Sequence, residues 1–187
     1  MPSPIAPTAP TTFWTSLATE YPGDPGIVIS LLLNRVTLDA GEALYLPAGN
    51  IHAYLSGLGI ELMSASDNVL RGGLTPKHID VPELLSVLDF TPAEVPYLRS
   101  TSPSEGVAVF TPDDADFELL RIDGMFLDAS VQLTGPAIAL CTAGEVSISG
   151  AASSSSLVLG DAVYITPDEA GLRFTGSGTV FVATTGA

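Results

Sequence analysis

The sequence predicts an all-β protein built from small barrels or sandwiches and interrupted by one helix. Three observations carry the prediction. Short apolar segments rich in Val, Ile, Thr and Tyr recur along the chain. Turn residues punctuate them, with Gly 18 and Pro 15 among 187 residues. Only one stretch combines helical spacing with a capping residue.

Residues 1–12 are Pro/Thr/Ala-rich and read as a floppy leader, and residues 1–25 are assigned to a leader or linker. From Gly26, "GIVISLLLNRVTL" has the composition of a strand and stops at the turn "DAGE". "EALYLP", "HAYLSG" and "GIELMSAS" continue as short strands. The helix is expected near 81–89. Asp80 suits its N-cap, Pro82 its first turn, and Glu83 the capping-box position. Leu84, Leu85 and Leu88 form its apolar stripe, and Thr91-Pro92 ends it. The Pro/Ser-rich connector "TPAEVPYLRSTSPSEG" marks a boundary that separates residues 26–98 from 99–187. Beyond it, segments such as "FELLRIDG", "PAIALCTAGEVSISG" and "GTVFVATT" read as strands of a self-contained all-β half. "GAASSSSLVLG" reads as a solvated loop between two of them.

A short internal echo supports two related barrels. "GEALYLPAGNIHAYLSG" (41–57) and "GDAVYITPDEAGLRFTGSG" (160–178) share Gly-acid-Ala-apolar-Tyr-apolar and then Pro. Aligning Tyr45 with Tyr164 puts Gly171 opposite His52, so only the first copy retains a candidate metal ligand.

Composition narrows the function. Hydrophobic residues are 46% and charged residues 14%, which excludes a disordered chain. The formal net charge of −15 argues against nucleic acid or an anionic membrane as partner. Any phosphorylated substrate would need a local cationic patch. One segment could supply it: both histidines, the single lysine (Lys77) and Arg71 lie between Gly49 and His78, beside Glu61 and Asp67. The one cysteine, Cys141, excludes an internal disulfide and reads as a buried strand thiol. No run of about 18 apolar residues suggests a membrane span. The N-terminus lacks the basic and apolar regions of a signal peptide, so a cytoplasmic location is expected.

Gly41–His52, Gly-x5-Pro-x-Gly-x2-His, resembles the second conserved motif of the cupins, where a histidine faces the inside of a barrel as a metal ligand. The following "HAYLSGLGIELMSASDNVLRGGLTPK" is more specific and resembles the signature of type I mannose-6-phosphate isomerases, with Ser64 and Gly72 where that family usually has alanines. "PGDPGIVISLLLNRVTLDAGEALYLPAGN" and "VPELLSVLDFTP" are similar to the same family. The resemblance covers roughly residues 20–187 and weakens in the second half. It implies cupin-type jelly-roll barrels: the C-terminal part of a catalytic barrel in 26–98, and a complete, metal-free barrel in 99–187. It also implies a zinc-dependent aldose–ketose isomerase that interconverts mannose 6-phosphate and fructose 6-phosphate and feeds GDP-mannose synthesis.

Under this resemblance His52 is a zinc ligand; the competing reading is a hydrogen-bonded core histidine. Arg71 matches the family's catalytic arginine, whose planar fork suits a developing enediolate; otherwise it is one half of a surface ion pair. Lys77 falls at the substrate pocket and suits phosphate; otherwise it is simply solvated. Tyr54, Glu61 and Asp67 match pocket-lining positions and could relay protons or orient neighbours, a choice that sequence leaves open. His78 carries no role, and Phe13 and Trp14 are expected to dock against the barrel rather than bind sugar.

The family's zinc is held by a glutamine, two histidines and a glutamate, of which only the last histidine corresponds to a residue here, His52. The sole glutamine is Gln132, and no histidine precedes His52. One imidazole cannot hold catalytic zinc, which takes about three protein ligands. The chain is therefore expected to be a C-terminal portion, inactive alone, with strand edges open to a missing N-terminal half or to self-association. The rival is a non-catalytic sugar-phosphate-binding or regulatory cupin module. A different metal cupin would need an upstream pair of histidines that this chain lacks.

Overall fold

The computed structural model describes residues 11–186 other than 67 and 170. The chain divides into two units, Met1–Gly57 with Ser66–Tyr97, and Leu58–Ala65 with Leu98–Ala187.

The first unit opens with helix α1 (Thr11–Glu20), where the sequence suggests a leader. Residues 1–10 of that leader lie outside the described residues. Leu17, Ala18 and Glu20 favour helix, and Pro22-Gly23 ends it, with Gly23 at φ 82°. The Phe13 ring meets Trp14 edge-on at 5.6 Å, and the Arg35 guanidinium lies 5.7 Å from the Phe13 centroid, tying the helix to the segment after α2.

Helix α2 (Gly26–Ile29) then replaces the start of an expected strand. Asp24-Pro25 directs the chain into a helical turn, because the Asp24 carboxylate accepts from the Gly26 N–H at 2.7 Å and Pro25 is already helical at φ −63°. Residues 31–42 are not strand either, and Leu32 is 83% exposed. β1 (Ala43–Leu44) is all that remains of "EALYLP", and "HAYLSG" and "GIELMSAS" contain no described strand. Strand propensity is realised only when a neighbouring backbone accepts the ladder, and these segments have none among the described residues.

α3 (Val81–Val87) matches the expected helix, two residues shorter. The Asp80 carboxylate accepts from the Glu83 N–H at 3.1 Å, and Pro82 occupies the first turn. Its apolar stripe is only partly covered, since Leu84 and Leu88 are half-buried and Leu85 is exposed. β2 (Tyr97–Leu98) pairs with β1, and the Tyr45 N–H donates to the Pro96 carbonyl at 3.1 Å.

The second unit holds almost all the sheet. Its strands are β3 (Thr101–Ser104), β4 (Val107–Phe110), β5 (Phe117–Gln132), β6 (Ala137–Ser149), β7 (Ser154–Val158), β8 (Ala162–Ile165) and β9 (Gly171–Thr185). They run in the order β3-β4-β5-β9-β6-β7, all antiparallel, with β8 also on β6. Alternate residues of β5, β6 and β9 point inward, and Ile122, Ala139, Cys141, Val146, Phe174, Val180 and Val182 form the centre of the core. Cys141 is thus the buried strand thiol expected. The three long strands share an irregular midpoint: register shifts fall at Gly124/Leu127 and Cys141/Ala143, beside Gly144, Gly176 and Gly178. A side chain at Gly144 would collide with the Ser177 carbonyl, and one at Gly178 with that of Ala143. Bulges and glycines there let long strands bend around a core instead of lying flat.

The internal echo has a physical basis. Gly41 (φ 95°) and Gly160 (φ 92°) occupy the same place in matching turns. In the first, the Glu42 carboxylate accepts from the Asp39 N–H (2.8 Å) while the Glu42 N–H donates to the Asp39 carbonyl (3.0 Å). In the second, Asp161 makes the same two bonds with Val158, at 3.1 and 2.9 Å. Each turn launches a strand, β1 or β8.

The β6–β7 connection is shorter than the solvated loop expected, since β7 begins at Ser154. Its tip is held by Glu169, in the one-turn 3-10 segment Pro167–Glu169. The Ser153 hydroxyl donates to Oε1 at 2.6 Å, and the Ala152 and Ser153 N–H groups donate to Oε2 at 2.8 and 3.3 Å. The Ser153 hydroxyl, and then the Ala152 N–H, hold this carboxyl below its ordinary 4.5. A carboxyl lowered by folding stabilises the fold above its unfolded value and ceases to do so as the pH falls through its folded value. Glu169→Gln is therefore expected to lower the unfolding midpoint by roughly 5 °C at pH 7. That deficit should shrink as the pH is taken well below 4.5, as followed by thermal melts of both proteins.

Candidate functional site

His52 is placed by a tight turn. The Asn50 N–H donates to the Pro47 carbonyl at 3.3 Å, and Gly49 takes φ 81°, as the third residue of such a turn requires. The end of α3 packs on this glycine. The Asp89 N–H donates to the Gly49 carbonyl at 3.0 Å, and a Cβ on Gly49 would sit 2.8 Å from the Val87 oxygen. Gly49→Ala combines an unfavourable φ with that collision and is expected to destabilise the first unit by about 1–2 kcal/mol. Faster hydrogen exchange at the Asp89 amide would register it.

The His52 Nδ1 lies 2.9 Å from the Asn50 carbonyl. A carbonyl can only accept, so Nδ1 carries the proton, and in the neutral ring Nε2 keeps its lone pair. This is the arrangement in which a backbone carbonyl orients a metal-binding imidazole. The Tyr54 ring stands edge-on to His52, with centroids 5.9 Å apart. The expected inward orientation is not observed: His52 is exposed, as is Tyr54. The described segments around His52 pair with no neighbouring strand, so no barrel wall forms there.

The Arg71 segment meets the His52 segment through their neighbours. Gly72 lies so close to the Ile51 side chain that a Cβ on it would be 2.7 Å from Ile51 Cδ1. Arg71, Lys77 and His78 are exposed, and the Lys77 N–H donates to the Thr75 hydroxyl at 3.2 Å. Glu61 is exposed in the other unit, where Ser64 also lies, its hydroxyl donating to Asp116 at 3.3 Å. Asp67 lies outside the described residues. The structure thus brings together His52 with Tyr54, and Gly72 with Ile51.

Sequence reasoning passes over Asp24. Its Oδ2 accepts from the Leu74 N–H at 3.0 Å, while Oδ1 holds Gly26. The "GDPG" run signals the local turn but not the partner fifty residues on.

Among the described residues no group of three His, Cys, Asp or Glu could hold a metal ion. The Nε2 of His52 offers one ligand position, whereas a catalytic zinc site takes about three from protein. The described residues do not by themselves make a zinc site.

No protein-family model matches the chain. The strand-rich fold is that of the cupin-type isomerases: a Salmonella typhimurium mannose 6-phosphate isomerase, solved with fructose 6-phosphate and zinc, matches with a TM-score of 0.84 and 33% identity over 97% of this chain and 46% of its own. The apo form of that enzyme matches equally, at 0.84. More particularly, the chain is a relative of the mannose-6-phosphate isomerases, over most of its own length. It is 38% identical to the one from Salmonella typhimurium over 159 residues, 84% of this chain, and 34% identical to isomerase 1 of Arabidopsis thaliana over 154 residues, 81% of this chain. The chain spans 41% and 36% of those two relatives, well under half of either.

Proposed function

We propose that this chain contributes part of the active site of a zinc-dependent mannose-6-phosphate isomerase and has no turnover alone. The observation that carries the reading is the coincidence of two matches on one segment. The isomerase-like fold extends over 97% of the chain, and the signature cations Arg71 and Lys77 stand on a segment packed against Ile51, beside His52.

In this reading the substrate is mannose 6-phosphate or fructose 6-phosphate, interconverted through an enediol within hexose metabolism and GDP-mannose synthesis. The guanidinium of Arg71 spreads the negative charge that develops on the enediolate oxygens. The Lys77 ammonium attracts the phosphate or sugar oxygens against a net charge of −15. Tyr54, Glu61 and Asp67 match pocket-lining positions of the family's signature. His52 offers its Nε2 as one zinc ligand, and the others come from outside this chain. No helix among the described residues is long and apolar enough to cross a membrane, and the reading places the protein in the cytoplasm.

A coupled isomerase assay tests this. The purified chain should be inactive with or without zinc, and should gain activity when refolded with the portion of a Salmonella isomerase that it does not span. Zinc-dependent turnover by the 187-residue chain alone would overturn the half-site reading. That no group of three ligands stands together among the described residues also favours a second reading, a non-catalytic sugar-phosphate-binding module. Chelator-insensitive binding of mannose 6-phosphate, with no activity on refolding, would select it.

A further inference from the structure

We infer that Asp24 is the positioning residue of the Arg71–Lys77 segment, clamping by its carboxylate the loop on which the two candidate substrate-facing cations stand. The inference rests on the isomerase reading for its functional meaning, and on geometry alone for the clamp.

The geometry is confined to the first unit. Asp24 is two residues before α2 and fifty before Leu74, yet its two carboxylate oxygens serve both places. Oδ1 accepts from the Gly26 N–H at 2.7 Å, and Oδ2 accepts from the Leu74 N–H at 3.0 Å; both bonds are part-buried. Hydrogen bonds to an ionised acceptor are roughly twice as strong as neutral ones, and shielding from water preserves that strength.

The loop needs such a clamp. Leu74 has φ 52°, and it is the one non-glycine residue with positive φ among the described residues. That conformation is disfavoured for a side chain such as leucine and persists only when its surroundings enforce it. Gly73, at φ 132°, lies against α2: a Cβ on it would stand 3.0 Å from Asp24 Oδ1 and 3.1 Å from Gly26 Cα. Gly26 in turn leaves room for Leu74, whose Cγ would be 3.0 Å from a Cβ at position 26. Gly72 is pressed on Ile51 in the same way. Three successive residues are therefore held by Ile51, Gly26 and Asp24, with Arg71 just before them and Lys77 three residues after.

Lys77 can hold a substrate's anionic group, and Arg71 can meet the charge that develops on it, only if the backbone that carries both is fixed. The Asp24 carboxylate thus meets the loop through its backbone, at the Leu74 N–H, and not through its cationic side chains.

The test compares the wild-type chain, Asp24→Asn and Asp24→Glu, each refolded with the complementary isomerase portion, by amide NMR, with fructose 6-phosphate as the probe. Asparagine keeps the size but loses one acceptor, whereas glutamate keeps both on a longer arm. In Asp24→Asn the Leu74 amide should exchange at least about tenfold faster and the 71–77 amides should shift, while those of β5, β6 and β9 stay in place. Affinity for fructose 6-phosphate, read on the same amides, should fall about tenfold, with partial recovery in Asp24→Glu. A Leu74 amide equally protected in Asp24→Asn would overturn the clamp. Unchanged sugar-phosphate affinity despite a released Leu74 would overturn the positioning role. Should wild type fail to bind fructose 6-phosphate while Leu74 is still released in the variant, the clamp stands and the isomerase reading falls.

Discussion

Arg71→Ala is expected to lower kcat by about 10²–10³-fold in the refolded isomerase, with little change in KM. Arg71 is exposed, so its guanidinium contributes little to the stability of the first unit. Its proposed work is confined to charge that appears as the enediolate forms. An interaction made only in the transition state shows in kcat and kcat/KM alike, which separates it from a role in binding. Arg71→Lys should recover part of the loss, because an ammonium restores the charge but not the planar two-pronged donor geometry. Steady-state kinetics of the three proteins, each assembled with the complementary isomerase portion, provide the check. An unaltered kcat in Arg71→Ala would remove the residue from the mechanism.

Phe174→Ala should be the most damaging single change to the second unit, at about 3–5 kcal/mol. Phe174 is fully buried, the largest side chain in the core to be so, and its strand pairs it with Ala129 on β5 and Ile148 on β6. Truncation would leave a void bounded by strands on both sides, which glycine-bent long strands cannot easily close. Against a typical total of about 5–15 kcal/mol, the loss is large enough to leave a visible unfolded population at 25 °C. Urea unfolding with Phe174→Leu as a milder control measures it. A loss below about 1 kcal/mol would mean that the core is far looser than its burial indicates.

Legibility in the sequence differed sharply between the two halves. In the second, period-two alternation reads directly onto inward and outward faces; "FELLRIDG" and "GTVFVATT" lie within β5 and β9, and "PAIALCTAGEVSISG" overruns β6 by one residue at each end. Even the short echo at Gly41 and Gly160 was legible, because a glycine followed by an acidic residue encodes a local turn with its own hydrogen bonds. The Asp80 cap was legible for the same reason. In the first half, residues 26–38 have as much β-branched and apolar character and yet form a helical turn and irregular chain. The identities of the candidate site residues came from a signature, and that signature also suggested a barrel interior for His52, which is exposed.

By itself the sequence determined what is short-range: the capped helix α3, the matching turns, the alternation of the long strands, the single buried thiol and the gathering of scarce cations between Gly49 and His78. Tertiary structure alone decided that β6 is shared between β9, β8 and β7, that the segments flanking His52 stay unpaired, and that a carboxylate at position 24 holds an amide at 74. The reason is that turns and caps close their hydrogen bonds within a few residues, whereas a strand or a long-range clamp exists only through a partner whose position no local pattern specifies.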